Sequence, residues 1–216
     1  MELKQGLIFD FNGTLVDDGH LHEAAWVAIV AQRFPGRYKQ EEISRLIRGR
    51  SNRDIVSSLL GSTVSDAQIR DLAGAKEALY REYCLDHPDF HLNPSAAACL
   101  DRLHSQGRRM ALATAAPHEN IEFFIQQLGI DRWFTKNLIF YDNGSFPGKP
   151  APDIFLKAAA AFGLSPAECT VFDDAPAGMT AAQLAGIGQI IHVDLSGRIP
   201  ILSGAHARIQ DFGGIP

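Results

Sequence analysis

Four short blocks of the sequence each place a polar or charged side chain at the end of an apolar run or in the loop that follows it. They contain Asp10, Thr114, Lys149 and the pair Asp173-Asp174. Singly, each has an ordinary structural explanation, such as a strand-ending turn or a helix cap. Together, Asp10 and Asp174 could hold a hard cation such as Mg²⁺, and Lys149 and Thr114 could bind phosphate oxygens. One oxygen of Asp10 could then attack phosphorus, which is phosphoryl transfer through an aspartyl phosphate.

The elements that must bring these blocks together are apolar runs alternating with helical patterns. The predicted strands, buried on both faces, are 7–9, 110–113, 138–141, 171–172 and 190–193. The predicted helices are 95–104, 119–128, 153–162 and 178–184, and Gly129, Gly163 and Gly186 are expected to cap three of them. This alternation predicts an α/β fold with a doubly wound, Rossmann-like parallel sheet. Ligands bind such sheets at the carboxyl ends of the strands, where all four blocks would meet.

One stretch interrupts the alternation. Residues 18–90 carry four helical patterns, at 23–34, 41–47, 53–60 and 66–85, and no strand pattern. We therefore predict a core domain formed by residues 1–17 and 91–216, with a helical domain inserted at 18–90.

Composition limits the possible partners. The chain of 216 residues is 46% hydrophobic and has a formal net charge of −5, so it lacks the basic excess that binds nucleic acid or anionic membranes. Its three cysteines show no metal-ligand spacing, and the first apolar run is too short for a signal peptide. We expect a cytoplasmic protein, a monomer or weak homodimer, whose partner is a small molecule.

The four blocks, in this order, resemble the motifs of the haloacid dehalogenase superfamily, and most of all its β-phosphoglucomutase-like phosphatase branch. The similarity extends over most of the chain, including His22 and Trp26, loop 49–54, Lys76 and Tyr80. Its most specific parts are Gly-Lys-Pro-Ala-Pro-Asp-Ile-Phe from Gly148 and Asp-Asp-Ala-Pro-Ala-Gly from Asp173. The resemblance implies a Rossmann-like core and a helical cap that closes over the site.

The resemblance also implies a role for each matching residue. Asp10 would be the nucleophile, and Asp10, the main-chain carbonyl of Asn12 and Asp174 would bind Mg²⁺. Asp173, where relatives often have Glu, would act on the metal through a water. Lys149 and Thr114 would hold the phosphoryl group. The implied substrate-binding residues are His22, Arg50, Arg53, Lys76, Thr114 and Ala115.

Asn12 departs from the family pattern, in which a second Asp protonates the leaving group and later activates water. An amide does neither at neutral pH, so a step worth about 10²- to 10⁴-fold is affected. We expect a Mg²⁺-dependent phosphatase of a small phosphorylated metabolite, slow unless another base such as His22 substitutes. The alternatives are a non-enzymatic or switch-like phospho-ligand binding protein and, less favoured, a phosphoglucomutase-like mutase.

Overall fold

The computed structural model describes residues 2–47, 50–61, 63–88 and 90–216. The chain divides into two compact units, a core unit of Met1–Asp17 with His91–Pro216 and a helical unit of Asp18–Phe90. In chain order the elements are β1 (Gly6–Phe9), α1 (Gly19–Arg33), α2 (Gln40–Ile47), α3 (Asn52–Leu60), α4 (Asp66–Asp86), α5 (Pro94–Ser105), β2 (Arg109–Pro117), α6 (His118–Leu128), β3 (Ile139–Asp142), α7 (Asp153–Phe162), β4 (Cys169–Asp173), α8 (Pro176–Leu184), β5 (Gln189–Val193) and β6 (Ala207–Ile209).

The core unit contains a parallel sheet of six strands in the order β3-β2-β1-β4-β5-β6. The strand order reverses at β1, where β2 lies on one side and β4 on the other. The predicted Rossmann-like fold is therefore confirmed, and each predicted strand forms within a few residues of its expected bounds. The sequence pattern does not predict β6, because its three residues are only partly buried and carry no apolar run.

Alternate residues of the central strands pack on opposite faces of the sheet. On one face, the rings of Phe9 and Phe172 stack with centroids 4.7 Å apart, and Phe212 lies 5.8 Å from Phe172. On the other, Ile8 and Val171 join an apolar cluster formed with residues of α7 and α8. Each such side chain contributes about 1.5–3 kcal/mol by burial. Both faces are thus covered, and polar groups are confined largely to strand ends.

The helices of the core unit begin and end close to their predicted positions. Helices α6 and α7 end at Gly129 and Gly163, whose φ values of 61° and 68° are left-handed, as expected for helix C-caps. Gly186, also at positive φ, lies two residues beyond the end of α8. Helix α8 starts at Pro176, two residues before the predicted start, because proline is well suited to a first helical turn.

The helical unit has a hydrophobic core of its own. Trp26 from α1, Ile43 from α2, Val56 from α3 and Leu72 from α4 are among its buried members. Helix α4 begins with a capping box between Ser65 and Gln68. Among the described residues, no helix combines the length and apolarity needed to cross a membrane.

Candidate active site

The first site residue, Asp10, directly follows β1. Its backbone N–H donates to the Phe172 carbonyl at 2.9 Å, which continues the sheet by one residue beyond the strand. The chain then turns sharply, since Gly13 has φ +77° and donates to the Val16 carbonyl at 2.8 Å. Asn12 lies in this turn and forms an isolated bridge with Val16. Its main-chain carbonyl as a metal ligand remains a prediction.

Lys149 joins the first and fourth blocks. Its Nζ donates to Asp10 Oδ1 at 2.7 Å, to Asp173 Oδ2 at 2.7 Å and to the Ala113 carbonyl at 2.9 Å. Burial alone lowers the pKa of this ammonium, but Asp10 and Asp173 outweigh burial and raise its pKa above the usual value. Lys149 therefore stays charged and fixes the spacing of the two carboxylates.

Two further contacts position the adjacent aspartates after β4. The Ala175 N–H donates to Asp173 Oδ1 at 3.0 Å, and the Thr14 hydroxyl donates to Asp174 Oδ1 at 3.3 Å. Burial raises the pKa of Asp174 well above its usual value, and the negative charges of Asp10 and Asp173 raise it further. The carboxyl group of Asp174 thus lies in a region with an excess of negative charge.

These three aspartates could hold a metal ion. Asp10, Asp173 and Asp174 each offer a carboxylate oxygen, and the three oxygens lie within 4.8 Å of one another. With all groups ionised, three carboxylates and one ammonium leave a formal charge of −3 + 1 = −2. A divalent cation would balance this charge, and carboxylate oxygens are the ligands that Mg²⁺ prefers. The donor set therefore fits the predicted metal.

Thr114 and Ala115 lie at the carboxyl end of β2. Thr114 is buried, and its Oγ1 accepts a hydrogen bond from the Ala116 N–H at 3.2 Å. It directly follows Ala113, whose carbonyl accepts from Lys149, so the second predicted block reaches the same sheet edge. Ala115 is exposed.

His22 and Lys76 belong to a polar cluster inside the helical unit. Lys76 Nζ lies 2.6 Å from His22 Nδ1 and 3.0 Å from Glu77 Oε1. The His22 ring stacks on Tyr80, with centroids 3.8 Å apart, and the Tyr80 hydroxyl donates to Asp18 at 2.5 Å. Burial, and next the charge of Lys76, lower the pKa of His22 to about 4, although Asp18 and Glu77 raise it. His22 is therefore neutral at pH 7.

The predicted arginines make contacts on the surface of the helical unit. Arg50 donates to the Asp54 carbonyl at 3.1 Å and to Ser58 Oγ at 2.7 Å, and Arg53 pairs with Asp66 at 2.9 Å. These bonds tie both side chains to neighbouring helices, and their roles toward substrate remain predictions. Arg48 and Gly49, near Arg50 in the sequence, lie outside the described residues.

Sequence reasoning assigned no side-chain role to Thr14, although its hydroxyl contacts Asp174. Its position could have indicated this role, because the hydroxyl of a residue in the turn after Asp10 can reach the end of a neighbouring strand. The cluster partners Asp18 and Glu77 were also missed, because their acidic side chains look solvent-exposed in sequence. The structure places both in the interior.

Comparisons with known proteins agree with this geometry. The model of a family of haloacid dehalogenase-like hydrolases matches residues 4–186. Protein CbbY of Rhodobacter capsulatus is 32% identical over 98% of this chain and 95% of its own length. The fructose-1-phosphate phosphatase YqaB of Escherichia coli is 29% identical over 88% of this chain and 96% of its own.

Solved structures show the same similarity. A hydrolase of the haloacid dehalogenase family from Entamoeba histolytica superposes with a TM-score of 0.88 at 29% identity, covering 98% of this chain and 95% of that protein. The residues matched by the family model, 4–186, include all four sequence blocks.

Proposed function

Because the chain belongs to the haloacid dehalogenase-like hydrolases, as its motifs predicted, we propose that it is a Mg²⁺-dependent phosphatase acting through an aspartyl phosphate. The class of hydrolase that cleaves phosphate esters is supported by phosphatases among its relatives. The observation that carries the finer proposal is the Lys149 bridge, which sets Asp10 beside Asp173 and Asp174 at one sheet edge.

We propose that Asp10 attacks phosphorus with a carboxylate oxygen, so that a bond forms to phosphorus and the bond to the leaving oxygen breaks. Lys149 and Thr114 would bind the phosphoryl oxygens, and Lys149 would stabilise the negative charge that develops on them. Water would then cleave the aspartyl phosphate, releasing phosphate and regenerating Asp10. A bound Mg²⁺ would supply charge neutralisation between the two anionic reactants.

Asn12 limits the proton transfers of this cycle. Its amide can hydrogen-bond the leaving oxygen but cannot protonate it. A leaving group that is stable as an anion needs no such proton. We therefore propose slow turnover, fastest for esters with acidic leaving groups.

The substrate we propose is a small phosphorylated metabolite, with sugar phosphates first to be tested because a relative is a fructose-1-phosphate phosphatase. The helical unit is inserted directly after the Asp10 turn, and we propose that it acts as the cap of the enzyme. Arg50, Arg53, His22 and Lys76 would then be the residues of that unit that select the substrate.

The test is released phosphate from p-nitrophenyl phosphate, fructose 1-phosphate and a panel of other phosphorylated metabolites, with Mg²⁺ or with a chelator. We expect Mg²⁺-dependent release by wild type and none by Asp10→Asn, which keeps the size of the side chain but removes the nucleophile. Trifluoroberyllate, which resembles a phosphorylated carboxylate, should raise the melting temperature of wild type only. Equal rates for the two proteins would rule out Asp10 as the nucleophile.

A second candidate function is phosphate-ligand binding without turnover, and Asn12 is the observation that favours it. In that case a phosphorylated metabolite would raise the melting temperature in the presence of Mg²⁺ while no phosphate is released.

A further inference from the structure

The carboxylate of Asp173 lies directly against the backbone of Gly178, the third residue of α8. A Cβ atom placed on Gly178 would be 2.1 Å from Asp173 Cγ and from both carboxylate oxygens. Ordinary contact begins at 3.4 Å, so an alanine would require a separation of 3.4 − 2.1 = 1.3 Å. No other residue type leaves this space empty.

The carboxylate, rather than the helix, is the group that an added methyl would move. Helix α8 is anchored by Met179, Ala181 and Ala182, which are buried in the apolar cluster under the sheet. Asp173, in contrast, ends in a carboxylate that turns about its own side-chain bonds. Its position is held by the Lys149 ammonium at 2.7 Å and the Ala175 N–H at 3.0 Å, and a shift of 1.3 Å along either bond would lengthen that bond beyond hydrogen-bond range.

Gly13 likewise leaves room for a carboxylate, that of the neighbouring residue Asp174. A Cβ atom on Gly13 would lie 2.3 Å from Asp174 Oδ2. Gly13 also has φ +77°, so a side chain there would strain the backbone as well as displace the carboxylate. Gly178 has no positive φ, so a substitution there fills the space beside Asp173 without straining the backbone.

We propose that Gly178 is a positioning residue of the active site: its missing side chain sets where the Asp173 carboxylate lies beside Lys149, among the acidic groups that would hold the metal. This inference rests on the proposed phosphatase function. Gly178 would act only through Asp173, whose carboxylate is what a Cβ atom at this position would meet.

The test is Gly178→Ala. We expect turnover of p-nitrophenyl phosphate to fall by about 10²-fold, a loss that a misplacement of about 1 Å can cause. Mg²⁺ affinity, measured by calorimetry, should fall with it. A crystal structure of the variant should show Asp173 Oδ2 beyond hydrogen-bond range of Lys149 Nζ. Wild-type turnover, or an Asp173 carboxylate still bonded to Lys149 with α8 displaced instead, would overturn the proposal.

Gly74→Ala is the matched control. Gly74 lies in the interior of α4, where an added Cβ meets no atom within 4 Å. Since alanine favours helices over glycine, Gly74→Ala should raise the melting temperature and leave turnover unchanged.

A double-mutant cycle separates positioning from a general need for glycine. Gly178→Ala is made in wild type and in Asp173→Ala, and the melting temperatures are compared. We expect Gly178→Ala to lower the melting temperature only where Asp173 is present. An equal decrease in both backgrounds would overturn the proposal. The comparison is informative even if Gly178→Ala fails to fold in the wild-type background, because the double variant should then still fold. If wild type releases no phosphate, the proposed function fails, and the cycle and the crystallographic distance still decide the role of Gly178.

Discussion

Each unit of the molecule buries one lysine among acidic side chains, and the two lysines respond in opposite ways. Lys149 in the core unit lies between two carboxylates, which raise its pKa despite burial. Lys76 in the helical unit lies between Glu77 and the neutral ring of His22, and there burial prevails and lowers its pKa, although Glu77 raises it.

The difference lies in charge balance. The core cluster has three carboxylates for one ammonium and needs a further cation, as a metal-binding site does. In the helical unit, Glu77 also accepts a hydrogen bond from Asn52 at 2.7 Å, and Asp18 accepts one from Tyr80, so that neutral donors satisfy its acids. A buried lysine therefore does not by itself indicate a catalytic site, whereas an uncompensated acidic excess around it indicates a site for a cation.

The largest expected effect comes from removing one of the three carboxylates of the core cluster. Asp174→Asn should abolish Mg²⁺-dependent phosphate release and Mg²⁺ binding, because one metal-binding carboxylate is lost. The metal-free protein should gain about 0.5–2 kcal/mol of stability, since like charges no longer repel. Calorimetric Mg²⁺ titration and thermal melts measure the two effects.

Asp194→Asn is the control for this prediction. Asp194 is also a buried aspartate of the core unit, but Arg208 pairs with it at 2.7 Å. We expect this variant to lose stability and to keep its affinity for Mg²⁺. If Asp174→Asn and Asp194→Asn changed Mg²⁺ affinity equally, charge excess would not be what distinguishes the metal site.

The next effect in size is a gain of function at Asn12. Asn12→Asp supplies the missing proton carrier without changing side-chain size, so turnover of phosphate esters should rise by about 10²- to 10⁴-fold. The gain should be largest for poor leaving groups, which need protonation, and smaller for p-nitrophenyl phosphate. His22 is a poor substitute base, because its pKa of about 4 is far from neutral pH.

A control on the wild type is essential for this comparison. Asn12 precedes Gly13, a pairing prone to deamidation, so aged protein could contain chains with aspartate at this position. Fresh protein should be checked by peptide mass analysis before its rate is measured. Unchanged turnover in Asn12→Asp with an intact fold would mean that another group already carries the proton, and Asn12→Asp with His22→Ala would test His22.

Much of the core unit can be predicted from sequence because its strands are buried on both faces. Continuous apolar runs such as 7–9 and 110–113 have one stable position, the centre of a covered sheet. The edge strand β6 has no such run, and it is positioned instead by pairing with β5 and by the Arg208–Asp194 ion pair. Contacts of that kind join residues that are distant in sequence, so they leave no local pattern.

The candidate site also has a part that sequence predicts and a part that only the packing determines. Polar residues at strand ends predict which side chains meet, and the structure brings Asp10, Lys149, Asp173 and Asp174 together. Sequence does not predict that Lys149 bridges two carboxylates, or that Gly178 makes room for one of them. Both depend on distances that only the packing of α7 and α8 against the sheet determines.

The third effect in size comes from replacing each of the two buried lysines. Lys149→Met should lower kcat by about 10²- to 10³-fold, because a charge that stabilises the transferring phosphoryl group is lost. It should still bind Mg²⁺, since the acidic excess is now larger. Lys76→Met should act mainly on KM and on melting temperature, because Glu77 then remains buried without its cation.

Steady-state kinetics and calorimetry of both variants separate these outcomes. A fall in kcat of the same size in both proteins would contradict the distinction between the clusters. Lys149→Arg, which keeps the charge in a different shape, should recover part of the lost kcat if charge is what matters.

The smallest expected effect is a pH dependence of stability that arises in the helical unit. His22 has a pKa of about 4 in the folded chain against 6.5 in the unfolded chain, so folding favours its neutral form. The resulting stability is complete above pH 6.5 and is lost as the pH falls toward 4. This difference in the pKa of His22 between the two states corresponds to about 1–3 kcal/mol of stability, reduced because 24% of the side chain is exposed. His22→Gln removes this titration and retains hydrogen-bonding groups, so its denaturant midpoint should fall less than that of wild type between pH 7 and 4.

His104→Gln, at an exposed position in α5, is the control and should follow wild type. If the denaturant midpoints of His22→Gln and wild type fell equally between pH 7 and 4, folding would not favour the neutral form of His22.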